Sequence, residues 1–161
     1  MTRSDRSSGG DFLAKKNDVM QGRSGIARIT DVLVVEDENI DADRMRATLH
    51  IMLGYEVQIR RANTLGSAVD NIIARQPHLV MLDDYLKPSD DASQTIPFLR
   101  RAGFEGPIIV VSGRATRQRR LELIKAGASD VIHKDEVDSV RLAEALGRIL
   151  KALAETPAAG A

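Results

Sequence analysis

Four short apolar runs along the chain each end on groups able to do chemistry. Val32 to Val35 is followed by Glu36-Asp37-Glu38, and Leu79 to Leu82 by Asp83-Asp84. Pro107 to Val111 is followed by Ser112-Gly113, and Val131 to His133 by Lys134. Unbroken apolar runs of this length fit strands covered on both faces. A fifth stretch, Glu56 to Arg61, alternates Val57 and Ile59 with polar residues, as a half-buried strand at a sheet edge does. The segments between them repeat with helical period. Residues 40 to 53 place Ala42, Met45, Leu49, Met52 and Leu53 on one side, and Gly54 ends the run. Leu65, Ala68, Val69, Ile72 and Ile73 form a stripe that stops at Gln76-Pro77. A loop rich in Lys, Pro, Ser and Asp precedes a short helix expected over Thr95 to Ala102. A basic helix over Thr116 to Ala126 carries mainly Leu121 and Ile124 and has no clean stripe. The last helix, Ser139 to Leu153, turns Leu142, Leu146, Ile149, Leu150 and Leu153 inward.

Five strands alternating with five helices predict an α/β fold with a parallel sheet covered by helices on both faces. Right-handed crossovers then give a doubly wound sheet of order 2-1-3-4-5, flavodoxin-like. The domain is expected over residues 31–153. Residues 1–30 are rich in Ser, Gly, Arg, Lys and Asp and read as a disordered arm. A short helix from Asp11, with Phe12, Leu13, Val19 and Met20 on one face, is the alternative for the arm. Residues 154–161 read as a flexible tail, too short for an output domain.

Composition narrows the function. The 23 basic residues balance the 23 acidic ones, so bulk charge points to neither nucleic acid nor membrane. No cysteine is present, which removes thiol catalysis, disulfides and Cys-ligated zinc and fits a cytoplasmic protein. No apolar run approaches the ~18 residues of a membrane span. His50, His78 and His133 sit on separate elements and suggest neither a zinc site nor a relay histidine. Arg114, Arg117, Arg119 and Arg120 cluster at the start of the fourth helix and read as a solvated face rather than a docking surface.

In an open α/β sheet the ligand site lies beyond the carboxyl ends of the strands. Those ends bring Glu36, Asp37, Asp83, Ser112 and Lys134 to one rim. Carboxylates crowded about 4 Å apart repel by about 4 kcal/mol at an effective dielectric of about 20, so either some protonate or a cation sits among them. Oxygen ligands on a partly open site suit Mg²⁺. A carboxylate can attack a phosphoryl group to give an acyl phosphate, and a cation, a lysine and a hydroxyl can balance the charge of the transferring oxygens.

On these residues the chain resembles the receiver domain of bacterial response regulators over residues 31 to about 153. VLVVEDE (32–38), LVMLDDYLKP (79–88), IIVVSG (108–113) and GASDVIHK (127–134) match its acidic-pair, phosphoacceptor, hydroxyl and lysine strands. The resemblance implies that Glu36, Asp37, Asp83 and the Tyr85 carbonyl bind Mg²⁺. It implies that Asp83 accepts a phosphoryl group from a sensor histidine kinase or phosphotransfer protein. Ser112 and Lys134 would contact the transferred group. The protein would then be a phosphoacceptor, with no turnover beyond Mg²⁺-dependent self-phosphorylation and slow autodephosphorylation. Asp84 is the competing acceptor. Leu86, three residues after Asp83, favours Asp83, and strand alternation turns only one of the two acids into the pocket.

The chain departs from the family at several positions. Val131 stands where an aromatic residue usually reports phosphorylation. Asp135 stands where a cis-proline usually follows the lysine, so a trans bond is expected there. Lys87 separates Leu86 from Pro88, and the loop from Ser89 to Gln94 lacks the usual hydrophobic-Asp-Gly turn. Bulky Tyr85 and Arg114 beside the site predict loss of phosphate over hours rather than seconds. The leading expectation is a stand-alone phosphoacceptor. Its alternatives are a phosphate-independent pseudo-receiver that binds protein and a metal-dependent phosphohydrolase. A homodimer through the last helix or the fourth-helix face stays open.

Overall fold

A computed structural model describes residues 29–155. The expected arm, including the helix proposed from Asp11, and residues 156–161 lie outside the described residues. The strands are β1 (Asp31–Val35), β2 (Gln58–Ala62), β3 (Leu79–Asp83), β4 (Tyr85–Leu86), β5 (Asp90–Asp91), β6 (Ile108–Ser112) and β7 (Asp130–His133). The helices are α1 (Asn39–Leu53), α2 (Leu65–Ala74), α3 (Ala92–Arg101), α4 (Arg117–Ala126) and α5 (Ser139–Glu155). The main sheet is parallel, in the order β2-β1-β3-β6-β7. This is the predicted doubly wound order once the small β4–β5 ribbon is set aside.

Side-chain alternation along the buried strands splits the core into two layers. Leu33, Val35, Val80, Leu82, Ile108, Val110 and Val131 face Ala68 and Ile72 of α2, Ile96 and Leu99 of α3, and Leu123 of α4. Val32, Val34, Leu79, Met81, Ile109, Val111 and Ile132 face Met45 and Leu49 of α1 and Leu142, Ala145, Leu146 and Ile149 of α5. Two-sided burial explains why these strands read as unbroken apolar runs. It also fixes register, since a one-residue slip would exchange the two layers.

Several elements differ from expectation. Helix α3 begins at Ala92, three residues early, because Asp91 caps it by accepting the Ser93 N–H at 2.8 Å. The loop before it folds into the antiparallel β4–β5 ribbon, pairing Tyr85 with Asp91 and Leu86 with Asp90. Helix α4 is anchored by buried Leu123, while Leu121 and Ile124 are exposed. Ile73 and Leu153 also face solvent, each at the edge of a stripe wider than the surface it covers. Helix α5 runs two residues past its expected end. Among the described residues the one cis bond is Lys87-Pro88, so Lys134-Asp135 is trans as expected. No helix among the described residues is long and apolar enough to cross a membrane.

Candidate functional site

Strand register brings the site together. Val35 lies beside Leu82, Asp83 beside Val111, and Ser112 beside His133. The next residue on each strand, or the last, is therefore Glu36, Asp83, Ser112 or Lys134, all at one end of the sheet. Asp83, Ser112 and Lys134 line an open pocket of about 1190 Å³ whose walls include Asp37, Asp84, Tyr85, Lys87, Arg114 and Arg119, and Glu36 is buried beside Asp83.

Glu36, Asp37 and Asp83 place carboxylate oxygens within 4.8 Å of one another. Glu36 and Asp83 are buried, at 0% and 3% exposure. Glu36 Oε1 accepts the Glu38 N–H at 3.0 Å, while its Oε2 is buried without a hydrogen-bond partner. Lys134 Nζ lies 3.4 Å from Asp83 Oδ1 and 3.3 Å from Asp41 Oδ2 of α1. The Tyr85 N–H also points to Asp83 Oδ1, at 3.4 Å.

The acids respond to this crowding. Burial, reinforced by the neighbouring Asp83 charge, pushes the Glu36 carboxyl up to about 8. Burial likewise raises Asp83, against the opposing pull of Lys134. Burial alone would lower Lys134, but the charges of Asp83 and Glu36 outweigh it and hold the ammonium above its ordinary range. One lysine thus faces more negative charge than it can balance. An unpartnered buried carboxylate oxygen beside two further hard oxygen donors fits a hard divalent cation.

The second acid, Asp84, was expected to turn away from the pocket. It lines the pocket instead, because β3 ends at Asp83 and alternation no longer governs the next residue. Its carboxylate accepts the Ser112 hydroxyl at 2.6 Å. Arg119 of α4 grips the same carboxylate, with Nε 3.1 Å from Oδ2 and Nη2 on Oδ1. Ser112 is therefore in the site as expected, but its proton is given to Asp84. The arginine cluster is also more than a solvated face. Arg119 is largely buried, and Arg120 bonds Asp130 at 2.7 Å and the Val131 carbonyl at 2.8 Å. Sequence reasoning missed Asp41 and the role of Arg119, whose partners are remote in the chain.

Tyr85 is half exposed, and its hydroxyl donates to the Pro88 carbonyl. The Lys87 N–H donates to Asp37 at 3.2 Å, and its ammonium pairs with Glu38. The three histidines stay apart. His78 accepts the Thr30 N–H, His50 stacks on Tyr55, and His133 accepts the Asp135 N–H.

Residues 32–147 match the family described as the response regulator receiver domain. The chain belongs to that family. Among curated relatives, this receiver is 32% identical to the nitrogen assimilation regulatory protein NtrX of Azorhizobium caulinodans over 105 residues. That match covers 65% of this chain and 22% of NtrX. The KDP operon transcriptional regulatory protein KdpE of Escherichia coli is 32% identical over 106 residues, covering 66% of this chain and 45% of KdpE. The receiver thus spans less than half the length of these relatives. The crystal structure of the NtrX receiver domain from Brucella abortus superposes with a TM-score of 0.65 at 30% identity, covering 75% of this chain and 98% of that one. A Francisella response regulator receiver domain matches the fold at 18% identity and a TM-score of 0.64, over 77% of this chain and 98% of that one.

Proposed function

We propose that this receiver accepts a phosphoryl group on Asp83 from a sensor histidine kinase or phosphotransfer protein. The observation that carries this reading is the position of Asp83. It is a buried carboxylate at the end of β3, at the floor of an open pocket, with Lys134 3.4 Å away and two further acids beside it. A carboxylate oxygen of Asp83 forms a bond to phosphorus as the donor's P–N bond breaks, and the leaving imidazole takes up a proton. Lys134 holds the reacting oxygens in place and offsets their charge. Glu36, Asp37 and Asp83, with the Tyr85 carbonyl, would hold Mg²⁺, which supplies charge neutralisation on the phosphoryl oxygens.

The reading includes signalling through protein contacts or onward phosphotransfer. It also includes slow loss of the phosphoryl group, because Tyr85 and Arg114 wall the approach for water. A second reading, a phosphate-independent pseudo-receiver, draws support from the Ser112 hydroxyl being committed to Asp84. The hydrolase reading gains nothing from Tyr85, whose hydroxyl is turned to Pro88.

The test is intact-protein mass after incubation with acetyl phosphate, with Mg²⁺ or with EDTA, on wild type, Asp83→Asn and Asp84→Asn. A gain of one HPO₃, dependent on Mg²⁺ and lost only in Asp83→Asn, is the expected result. A gain that survives in Asp83→Asn moves the acceptor to Asp84. No gain in folded wild type favours the pseudo-receiver.

A further inference from the structure

One guanidinium ties three elements around the pocket. Arg119 of α4 holds Asp84 just past β3, reaches Asp91 at the cap of α3 at 2.6 Å, and meets Glu122 of its own helix at 3.2 Å. Asp84 in turn takes the Ser112 hydroxyl proton at 2.6 Å, while Ser112 Oγ accepts the Arg114 N–H at 3.0 Å. A serine hydroxyl has one proton, so it serves one acceptor at a time. Ser112 follows Val111, the register partner of Asp83, and both line the same pocket. Val131 on the neighbouring strand is aliphatic and buried, so it offers no ring or polar group that could move.

We propose that Asp84 and Arg119 form a latch in which Asp84 withholds the Ser112 hydroxyl from Asp83 and Arg119 is the positioning residue that carries its release to helix α4. The proposal rests on Asp83 being the phosphoacceptor. A phosphoryl group on Asp83 competes for the Ser112 proton. Once Ser112 turns to it, Asp84 loses a charge-assisted bond, and the phosphoryl anion competes for Arg119 as well. Arg119 then draws α4 with it. The helix can follow because Leu123 is its one buried residue. The bond from Arg119 to Asp91 passes the change to the cap of α3.

The latch makes opposite predictions for its two members. Asp84→Asn weakens the hold on Ser112 and removes a negative charge, so beryllofluoride with Mg²⁺ binds roughly tenfold tighter. Arg119→Gln leaves Asp84 unneutralised beside the incoming anion, so the same probe binds roughly tenfold more weakly. In the double variant the Arg119→Gln penalty disappears, because the charge it balanced is gone. Binding is read by calorimetry, and α4 by hydrogen exchange of residues 117–126. Those amides lose protection on binding in wild type and keep it in Arg119→Gln. Arg119→Lys retains charge without the two-pronged grip and falls between wild type and Gln, so it carries the test if Arg119→Gln does not fold.

Opposite single effects, with a double variant that binds as tightly as Asp84→Asn alone, support the latch. Effects of the same sign, or additive ones, overturn it and leave the Asp83 reading intact. Wild type that neither binds beryllofluoride nor gains mass from acetyl phosphate overturns both.

Discussion

Lys134 Nζ stands 3.4 Å from Asp83 Oδ1 and 3.3 Å from Asp41 Oδ2, bridging the end of β7 to β3 and α1. The ammonium is less than a third exposed, while Asp83 is buried. Among the described residues it is the cation paired with the acid proposed as nucleophile, so its removal should act on chemistry more than on folding. Lys134→Ala is expected to slow acetyl-phosphate incorporation by about a hundredfold, the scale of losing one preorganised charge-stabilising donor. The thermal midpoint should move by only a few degrees, because Asp83 can protonate once its partner is gone. Rates by intact mass and melting curves on the same preparations separate the two effects. A rate within a factor of about three of wild type would remove Lys134 from the transfer step.

The parts of this site legible in the sequence are those set by strand ends. An apolar run such as Leu79 to Leu82 marks both where a buried strand lies and where it stops. Because neighbouring strands are in register, the first polar residues after each run converge. Glu36, Asp83, Ser112 and Lys134 are brought to one end of the sheet in this way. Asp84 escapes the alternation rule because it lies beyond the last residue of β3. The role of Arg119 is not legible, because a charge on an exposed helix looks the same in sequence whether or not an acid 35 residues away receives it. The β4–β5 ribbon left no periodic trace, since two residues per strand cannot show a period. The cap at Asp91 was readable in principle, as an acid directly before a helical segment.

Asp130, at the start of β7, gathers Arg120 at 2.7 Å, Arg148 at 2.9 Å and Arg141 at 3.3 Å, and it accepts the Val131 N–H at 2.8 Å. Burial pushes its carboxyl up, but the Val131 N–H and the arginines outweigh burial and hold it below its ordinary 3.8. In the unfolded chain it returns to the ordinary value, so the unfolded state binds more protons through that window. Its contribution is therefore fully present above the unfolded value and is lost as pH falls through the depressed folded one. Asp130→Asn is expected to cost about 3 kcal/mol near neutral pH, toward the low end for a broken buried pair because two of the arginines reach water. Urea midpoints measured from neutral pH downward should show the two proteins converging below pH ~4. A difference that stays constant with pH would mean that packing, and not charge, gives Asp130 its effect.

Gly127 closes helix α4 and leads the chain into β7. Its φ of +118° lies where an L side chain is strained, and its N–H turns back to the Ile124 carbonyl at 3.1 Å. A Cβ here would also meet Ile96 Cγ2 at 3.1 Å, and Ile96 is a fully buried α3 side chain in a packed layer. Strain and crowding add, so Gly127→Ala is expected to destabilise by about 2 kcal/mol. The denaturant slope should be unchanged, since the same surface is exposed on unfolding. Gly127 lies outside the pocket walls, so acetyl-phosphate incorporation by the folded variant should match wild type at temperatures well below its midpoint. A stable variant would show that α4 can shift off Ile96 without loss, and a stable but inactive one would show that the seat of α4 on α3 controls the pocket.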